Sequence, residues 1–191
     1  MTTTTLSPAR NCRRGVAAGF TLVELMIGAT LGSFILAAVL STFLFMGRSG
    51  ANIQNYNDME AQARKALESF AEDTRQASGV TWGATNASLT LTVNGASVVY
   101  SYDSTAKTLT RRDATTTKVL VSGITTFAFS AYNISEVSLP LVTAADLIAA
   151  NGTTKELQLS LECSRTNTTV VAATNSVLSA RFILRNKKVT A

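Results

Sequence analysis

The sequence predicts an α+β fold in which a long N-terminal helix precedes an antiparallel β-sheet domain. Residues 25–47 form a run of 23 residues without a charge, and residues 51–78 continue with apolar side chains at helical spacing. From residue 89 onward, apolar and polar residues alternate, as is typical of strands. The predicted segments are residues 1–19, 20–47, 48–78 and 79–191.

The first segment, residues 1–19, is polar and basic. It carries Arg10, Arg13 and Arg14 and no acidic residue. Positive charges before an apolar span keep that end of a chain in the cytoplasm, so the rest is predicted to cross the membrane. A secretory signal peptide would be cut after its apolar region, whereas the small residue Gly19 lies before it.

Composition argues against two classes of function. The net charge is +5, but without residues 1–19, which carry three of the 17 basic residues, 14 basic residues face 12 acidic ones. A charge that small and scattered does not indicate a nucleic-acid partner. The chain has no histidine, which removes the commonest general base and metal ligand, so no catalytic residue, metal or cofactor is predicted.

The stretch GFTLVELMIGATLGSFILAAVLSTF, which starts at Gly19, resembles the N-terminus of type IV prepilins and type II secretion pseudopilins. The resemblance implies that a prepilin peptidase and N-methyltransferase cuts after Gly19 and methylates Phe20. It also implies a single-pass inner-membrane precursor with a periplasmic C-terminal domain, which later joins a pilus or pseudopilus. The partners implied are other pilins or pseudopilins, an inner-membrane assembly platform and membrane lipid.

Glu24 is a carboxylate at the edge of the charge-free span. Ionisable residues inside a membrane are costly and often functional, although near the interface a glutamate can simply reach the headgroups. Phe20 and Glu24 stand four residues apart, which predicts one turn of helix between them. The family resemblance implies that Glu24 pairs with the Phe20 amine of a neighbouring subunit during assembly.

Gly28 and Gly32 form a GxxxG spacing within the span. Small residues let helix backbones approach closely in a membrane or a filament core. Glycine is also common in membrane helices without such a role, so both interpretations stay open.

Residues 51–78 predict an amphipathic helix that ends at Ser78-Gly79. One predicted stripe is apolar and the opposite face is charged. The apolar stripe consists of Tyr56, Met59, Ala63, Ala66, Leu67, Phe70 and Ala77, and the charged face of Asp58, Arg64, Lys65, Glu68 and Asp73.

The remainder predicts a domain of antiparallel strands, and the short spacings between the early strands favour a meander packed on the helix. Asn94-Gly95 predicts a hairpin turn, and Thr143 with Asp146 predicts the cap of a short helix that ends at Asn151-Gly152. Cys163 is predicted to be a small core residue on one face with Leu157, Leu159 and Leu161. The predicted strands lie in residues 89–93, 98–102, 107–111, 118–121, 124–132, 156–164 and 177–185.

The segments VVYSYDSTAKTLTRR and KVLVSGITTFAFSAYN resemble the globular region of PilW-type minor pilins and J-type pseudopilins. The function implied is a structural subunit of a type IV pilus or a related secretion filament. The alternatives are a type II secretion pseudopilin and a DNA-uptake or adhesive minor pilin with a basic or aromatic tip. For such a tip the basic pairs outside residues 1–19 are Arg111-Arg112, expected to be a solvated strand end, and Lys187-Lys188.

Overall fold

The structure, a computed structural model, describes residues 19–165 and 174–189. A 55-residue helix, α1, spans Leu22–Gln76 and precedes a domain of antiparallel strands, which confirms the predicted α+β class. The chain divides into two compact units, Met1–Met46 and Gly47–Ala191, with the boundary inside α1. Except for Gly19, the predicted leader lies outside the described residues.

The first part of α1 is apolar and fully exposed. Every residue from 19 to 50 is exposed, including the large side chains of Phe34 and Leu40. The helix is long and apolar enough to cross a membrane, and a membrane would remove this surface from water.

The second part of α1 packs against the strands through a stripe that partly differs from the predicted one. Tyr56 is 44% exposed because the packed stripe begins at Met59. Asp73, predicted on the solvent face, is only 7% exposed. The helix residues that are buried are Met59, Ala63, Ala66, Phe70, Ala71, Asp73 and Thr74.

The predicted helix stop at Ser78-Gly79 is wrong, since α1 ends at Gln76 and a strand begins at Ala77. Backbone pairing with the next strand takes over at once, with a register irregularity between Ala77 and Gly79. The side-chain amide of Asn186 donates to the Gln76 carbonyl at 3.1 Å, which satisfies one of the acceptors that a helix end leaves open.

The first sheet is a five-stranded antiparallel meander in the order β1-β2-β3-β4-β5. The hairpin predicted at Asn94-Gly95 is confirmed: both residues have positive φ, 51° and 81°, as a two-residue hairpin turn requires. The strand β1 was not predicted. The strands are β1 (Ala77–Trp82), β2 (Ser88–Val93), β3 (Ala96–Asp103), β4 (Thr108–Arg112) and β5 (Thr117–Ser122).

The later strands form a second sheet, whereas the early strands form the meander that their short spacings predict. The order of the second sheet is β7-β6-β8-β9, and all pairs are antiparallel. The chain between β6 and β8 contains β7 and a helix, after which β8 returns to pair with β6. Thr143 and Asp146 form the predicted capping box of that helix. The elements are β6 (Ile124–Tyr132), β7 (Ser138–Leu139), α2 (Ala144–Thr153), β8 (Glu156–Arg165) and β9 (Thr174–Ile183).

Phe70 of α1 marks the place where the helix meets both sheets. Its ring lies 5.1 Å from that of Tyr100 in the first sheet and 5.8 Å from those of Phe129 and Phe182 in the second. Aromatic pairs at such distances add to the free energy of apolar burial. Cys163 is fully buried in this core, as predicted.

Candidate functional site

The candidate site is the start of α1, where Gly19 and Phe20 precede the helix. Both residues are exposed and outside regular structure, and Phe20 is 87% exposed. The peptide bond between them therefore lies in accessible, non-helical backbone, which a peptidase can bind in extended form.

A capping box holds the first turn of α1. The Glu24 backbone N–H donates to Thr21 Oγ1 at 3.3 Å, and the Thr21 backbone N–H donates to Glu24 Oε2 at 2.9 Å. The Thr21 hydroxyl also donates to Glu24 Oε2 at 2.9 Å. This reciprocal arrangement satisfies N–H groups that a helix start leaves without partners, and the carboxylate lies at the positive end of the helix dipole.

Sequence reasoning missed Thr21, although a signal was present. The tetrapeptide Thr21-Leu22-Val23-Glu24 has the S/T-x-x-E pattern of a capping box directly before an apolar run.

The expected helical turn between Phe20 and Glu24 is not present in the chain with residues 1–19 attached. Phe20 lies before Thr21, and the first helical hydrogen bond runs from Leu25 N–H to the Thr21 carbonyl at 3.1 Å. The two hydrogen bonds that the Glu24 carboxylate accepts from Thr21 both use Oε2, and Oε1 has no hydrogen-bond partner among the described residues. Glu24 can therefore cap its own helix and still offer one oxygen to an external cation.

Gly28 and Gly32 lie on the exposed part of α1. Among the described residues, nothing lies within 4 Å of the place where a Cβ at either position would stand. Their role in close helix packing stays a prediction. The nearby hydroxyl of Thr30 donates to the Met26 and Ile27 carbonyls, so it adds little polarity to the apolar surface.

A partly buried polar cluster in the second unit corrects the interpretation of Arg111 as a solvated strand end. Arg111 Nε donates to Asp73 Oδ2 at 2.7 Å, Arg111 Nη1 to Asp113 Oδ2 at 2.8 Å, and the Tyr100 hydroxyl to Asp73 Oδ2 at 2.6 Å. Burial, then the Asp73 hydrogen bond, raises the pKa of Tyr100. The Asp73 hydrogen bond raises the pKa of Arg111. The cluster joins α1 to β3 and β4, as a structural contact does.

Lys187 is also not a free basic group at a tip. It is 7% exposed, and its ammonium donates to the carbonyls of Asn151 at 2.6 Å and Thr154 at 3.0 Å, at the C-terminal end of α2. Burial, then the nearby charge of Lys155, lowers the pKa of Lys187. In the part of the chain that the structure describes, no group of three or more His, Cys, Asp or Glu side chains could hold a metal ion.

Comparison with known proteins places the start of α1 in a recognised motif. Residues 14–40 match the family described as the prokaryotic N-terminal methylation motif. The matched range includes Gly19, Phe20, the Thr21–Glu24 capping box and both glycines of the GxxxG spacing. No curated protein sequence matches the chain. The motif supports a precursor of the type IV pilin or pseudopilin kind, and the apolar part of α1 fits a membrane anchor for it.

Proposed function

We propose that this chain is a minor pilin or pseudopilin precursor, cut after Gly19, methylated on Phe20 and assembled through α1 into a type IV pilus or related secretion filament. The observation that carries the proposal is the accessible Gly19-Phe20 bond directly before a capped apolar helix, inside the methylation motif. A prepilin peptidase and N-methyltransferase would act on this bond. An inner-membrane assembly platform and other pilins or pseudopilins would receive the product.

The same proposal gives the chain an orientation. The basic residues 1–19 stay in the cytoplasm, the apolar part of α1 crosses the inner membrane, and the strand domain lies in the periplasm. Because helix α1 is exposed from residue 22 to 50, the surface that lipid covers before assembly is free to pack on neighbouring helices afterwards.

Within this class, a PilW-type minor pilin and a J-type pseudopilin remain alternatives, which neighbouring genes would separate. A DNA-binding tip is less well supported, because Arg111 is tied to two carboxylates and Lys187 to two carbonyls. The described basic pairs therefore expose only Arg112 and Lys188 fully, too little charge for a phosphate-binding surface.

Gly19→Val should prevent cleavage and leave the full precursor in the membrane. A branched side chain next to the cut bond would clash where a glycine lets the peptidase approach the backbone closely. Mass spectrometry of the membrane-extracted chain should give an N-terminus at Phe20 with one added methyl group for the unaltered chain, and at Met1 for the variant. The matched control is Gly15→Val, the same change four residues away, which should be cut normally. An unaltered chain that begins at Met1, or is cut beyond Gly47, would refute the proposal.

A further inference from the structure

Within residues 47–165 and 174–189, the two sheets have four edges, and three of them are protected. Unprotected edge strands expose rows of N–H and C=O groups that pair with other chains. At the β1 edge, α2 packs alongside and Asn151 Oδ1 accepts from the Trp82 backbone N–H at 2.7 Å. The β5 edge carries an exposed Lys118, and Gln62 of α1 accepts from the Ser122 N–H. The β7 edge is only two residues long.

The β9 edge has none of these protections. It is ten residues long and pairs, among the described residues, with β8 alone. It contains no proline, and its one charged side chain, Arg181, lies back over the sheet. The Arg181 guanidinium is 3.6 Å from the centre of the Tyr132 ring and 3.5 Å from Glu156 Oε2. The open backbone of β9 is therefore shaped to receive one more extended strand.

The side chains of β9 indicate which strand would pair with this edge. The sequence Val177-Leu178-Ser179-Ala180-Arg181-Phe182-Ile183 has nearly the same pattern of apolar and polar residues in both directions from Ala180. On the outer face, Val177 and Ile183 are 74% and 51% exposed. On the core face, Leu178 and Phe182 are partly buried against the core.

We propose that β9 pairs antiparallel with β9 of a second copy of this chain, about a two-fold axis at Ala180. Val177 then lies opposite the partner's Ile183, Leu178 opposite the partner's Phe182, and Ser179 opposite the partner's Arg181. Apolar residues meet apolar residues on both faces, which stabilises cross-strand pairs. The two four-stranded sheets join into one sheet of eight strands.

Other registers of the β9 pair would be less stable than the one centred on Ala180. Shifting the axis to Arg181 places two arginines directly opposite each other, and like charges in that position are destabilising. Shifting it to Ser179 places the partner's Arg181 opposite Val177. A one-residue slip would turn the core face of one copy to the other side of the sheet.

The β9 pair does not depend on the filament proposal. If both proposals hold, however, the symmetry of the pair limits when it can form. A two-fold contact uses the same surface on both copies and closes, whereas a filament grows through contacts between different surfaces. If the chain is a filament subunit, the β9 pair is a form of the unassembled chain in the membrane. Failure of the pair would leave cleavage after Gly19 untouched, so the two proposals fail separately.

The test is oxidative cross-linking of the full chain in membranes, with Cys12→Ser as background so that the other native cysteine is the buried Cys163. Ala180→Cys should form a disulfide-linked dimer, because directly opposed residues in antiparallel strands have Cα separations that a disulfide can span. The matched control is Val119→Cys, an exposed position on the protected β5 edge, which should give at least tenfold less dimer.

Charge exchange then tests the register. Adding Val177→Lys and Ile183→Lys to Ala180→Cys puts like charges opposite each other and should lower cross-linking at least tenfold. Adding Val177→Lys with Ile183→Glu puts opposite charges together and should restore it. Thermal unfolding followed through Trp82 shows that each variant is folded.

Three outcomes would overturn the pair. The folded Ala180→Cys chain could stay monomeric, or its cross-linking could survive the two lysines. It could also link to a different protein and never to itself, in which case the strand of another subunit occupies the β9 edge.

Discussion

Asp73→Ala should lower the free energy of unfolding of the second unit by about 3 kcal/mol, because Arg111 and the buried Tyr100 hydroxyl lose the acceptor that they share and Arg111 keeps only Asp113. The Asp73 carboxylate accepts from the Tyr100 hydroxyl at 2.6 Å and from Arg111 Nε at 2.7 Å. Its side chain is 10% exposed and that of Arg111 25%. Because Arg111 is partly accessible to water, we expect a loss at the lower end of the range of about 3–5 kcal/mol that is typical of breaking a buried ion pair.

Urea unfolding of the full chain in detergent, followed by fluorescence, measures this loss. Trp82 is the only tryptophan and is 5% exposed, so its emission reports unfolding of this unit. Tyr100→Phe removes one donor and leaves the ion pair, and should cost about 1 kcal/mol. Arg112→Ala is the matched control, since Arg112 is exposed on the same strand. A loss below about 0.5 kcal/mol for Asp73→Ala, the range of ordinary surface changes, would contradict the structural role of the cluster.

The elements that sequence predicted well depend on local signals. Asn94-Gly95 tolerates the positive φ of a tight hairpin, and Thr143 with Asp146 carries both side chains of a capping box. The strand predicted at residues 124–132 coincides with β6 because its alternation separates a core face from an outer face. Such signals are complete within a few residues, so no distant partner is needed to interpret them.

The errors concern residues whose partners are far away in the sequence. Asp73 is three residues after Phe70, so helical periodicity places it near the buried stripe, while its charge predicts solvent. Asp73 is buried, as the periodicity indicates, because Arg111, 38 residues later, compensates the charge of its carboxylate. Similarly, Ser78-Gly79 has the composition of a helix stop, but pairing with β2 makes it part of a strand. The division into two sheets depends on β8 returning to β6, which no local pattern encodes.

The candidate site was accessible to sequence reasoning because its evidence is a contiguous motif. The resemblance of residues 19–43 to prepilins predicts the roles of Gly19 and Phe20, and the place of Glu24 at the edge of the charge-free span adds to its predicted role. What sequence reasoning missed is that Glu24 is already engaged by Thr21. Glu24 therefore has two possible effects on assembly, through the shape of its own helix start and through its charge, and variants at the two positions separate them.

Glu24→Ala should be cleaved after Gly19 and inserted normally, yet be at least tenfold depleted from filaments. Removing a charge from an apolar span makes insertion easier. Without the carboxylate, the Phe20 amine of a neighbouring subunit would be buried without a counter-charge in an apolar helix packing, at a cost of several kcal/mol, and each 1.4 kcal/mol corresponds to tenfold. Immunoblots of sheared filaments and of membranes measure the distribution.

Two further variants decide which property of Glu24 matters. Glu24→Gln keeps an acceptor for the Thr21 N–H, as glutamine can in a capping box, but has no charge. Thr21→Val keeps the shape and the Glu24 charge but loses the hydroxyl that accepts from the Glu24 N–H at 3.3 Å. If ion pairing drives assembly, Glu24→Gln is depleted from filaments like Glu24→Ala, whereas Thr21→Val assembles. The opposite result, with Thr21→Val depleted and Glu24→Gln assembled, would mean that Glu24 acts by capping α1, and the free Oε1 would have no part in joining subunits.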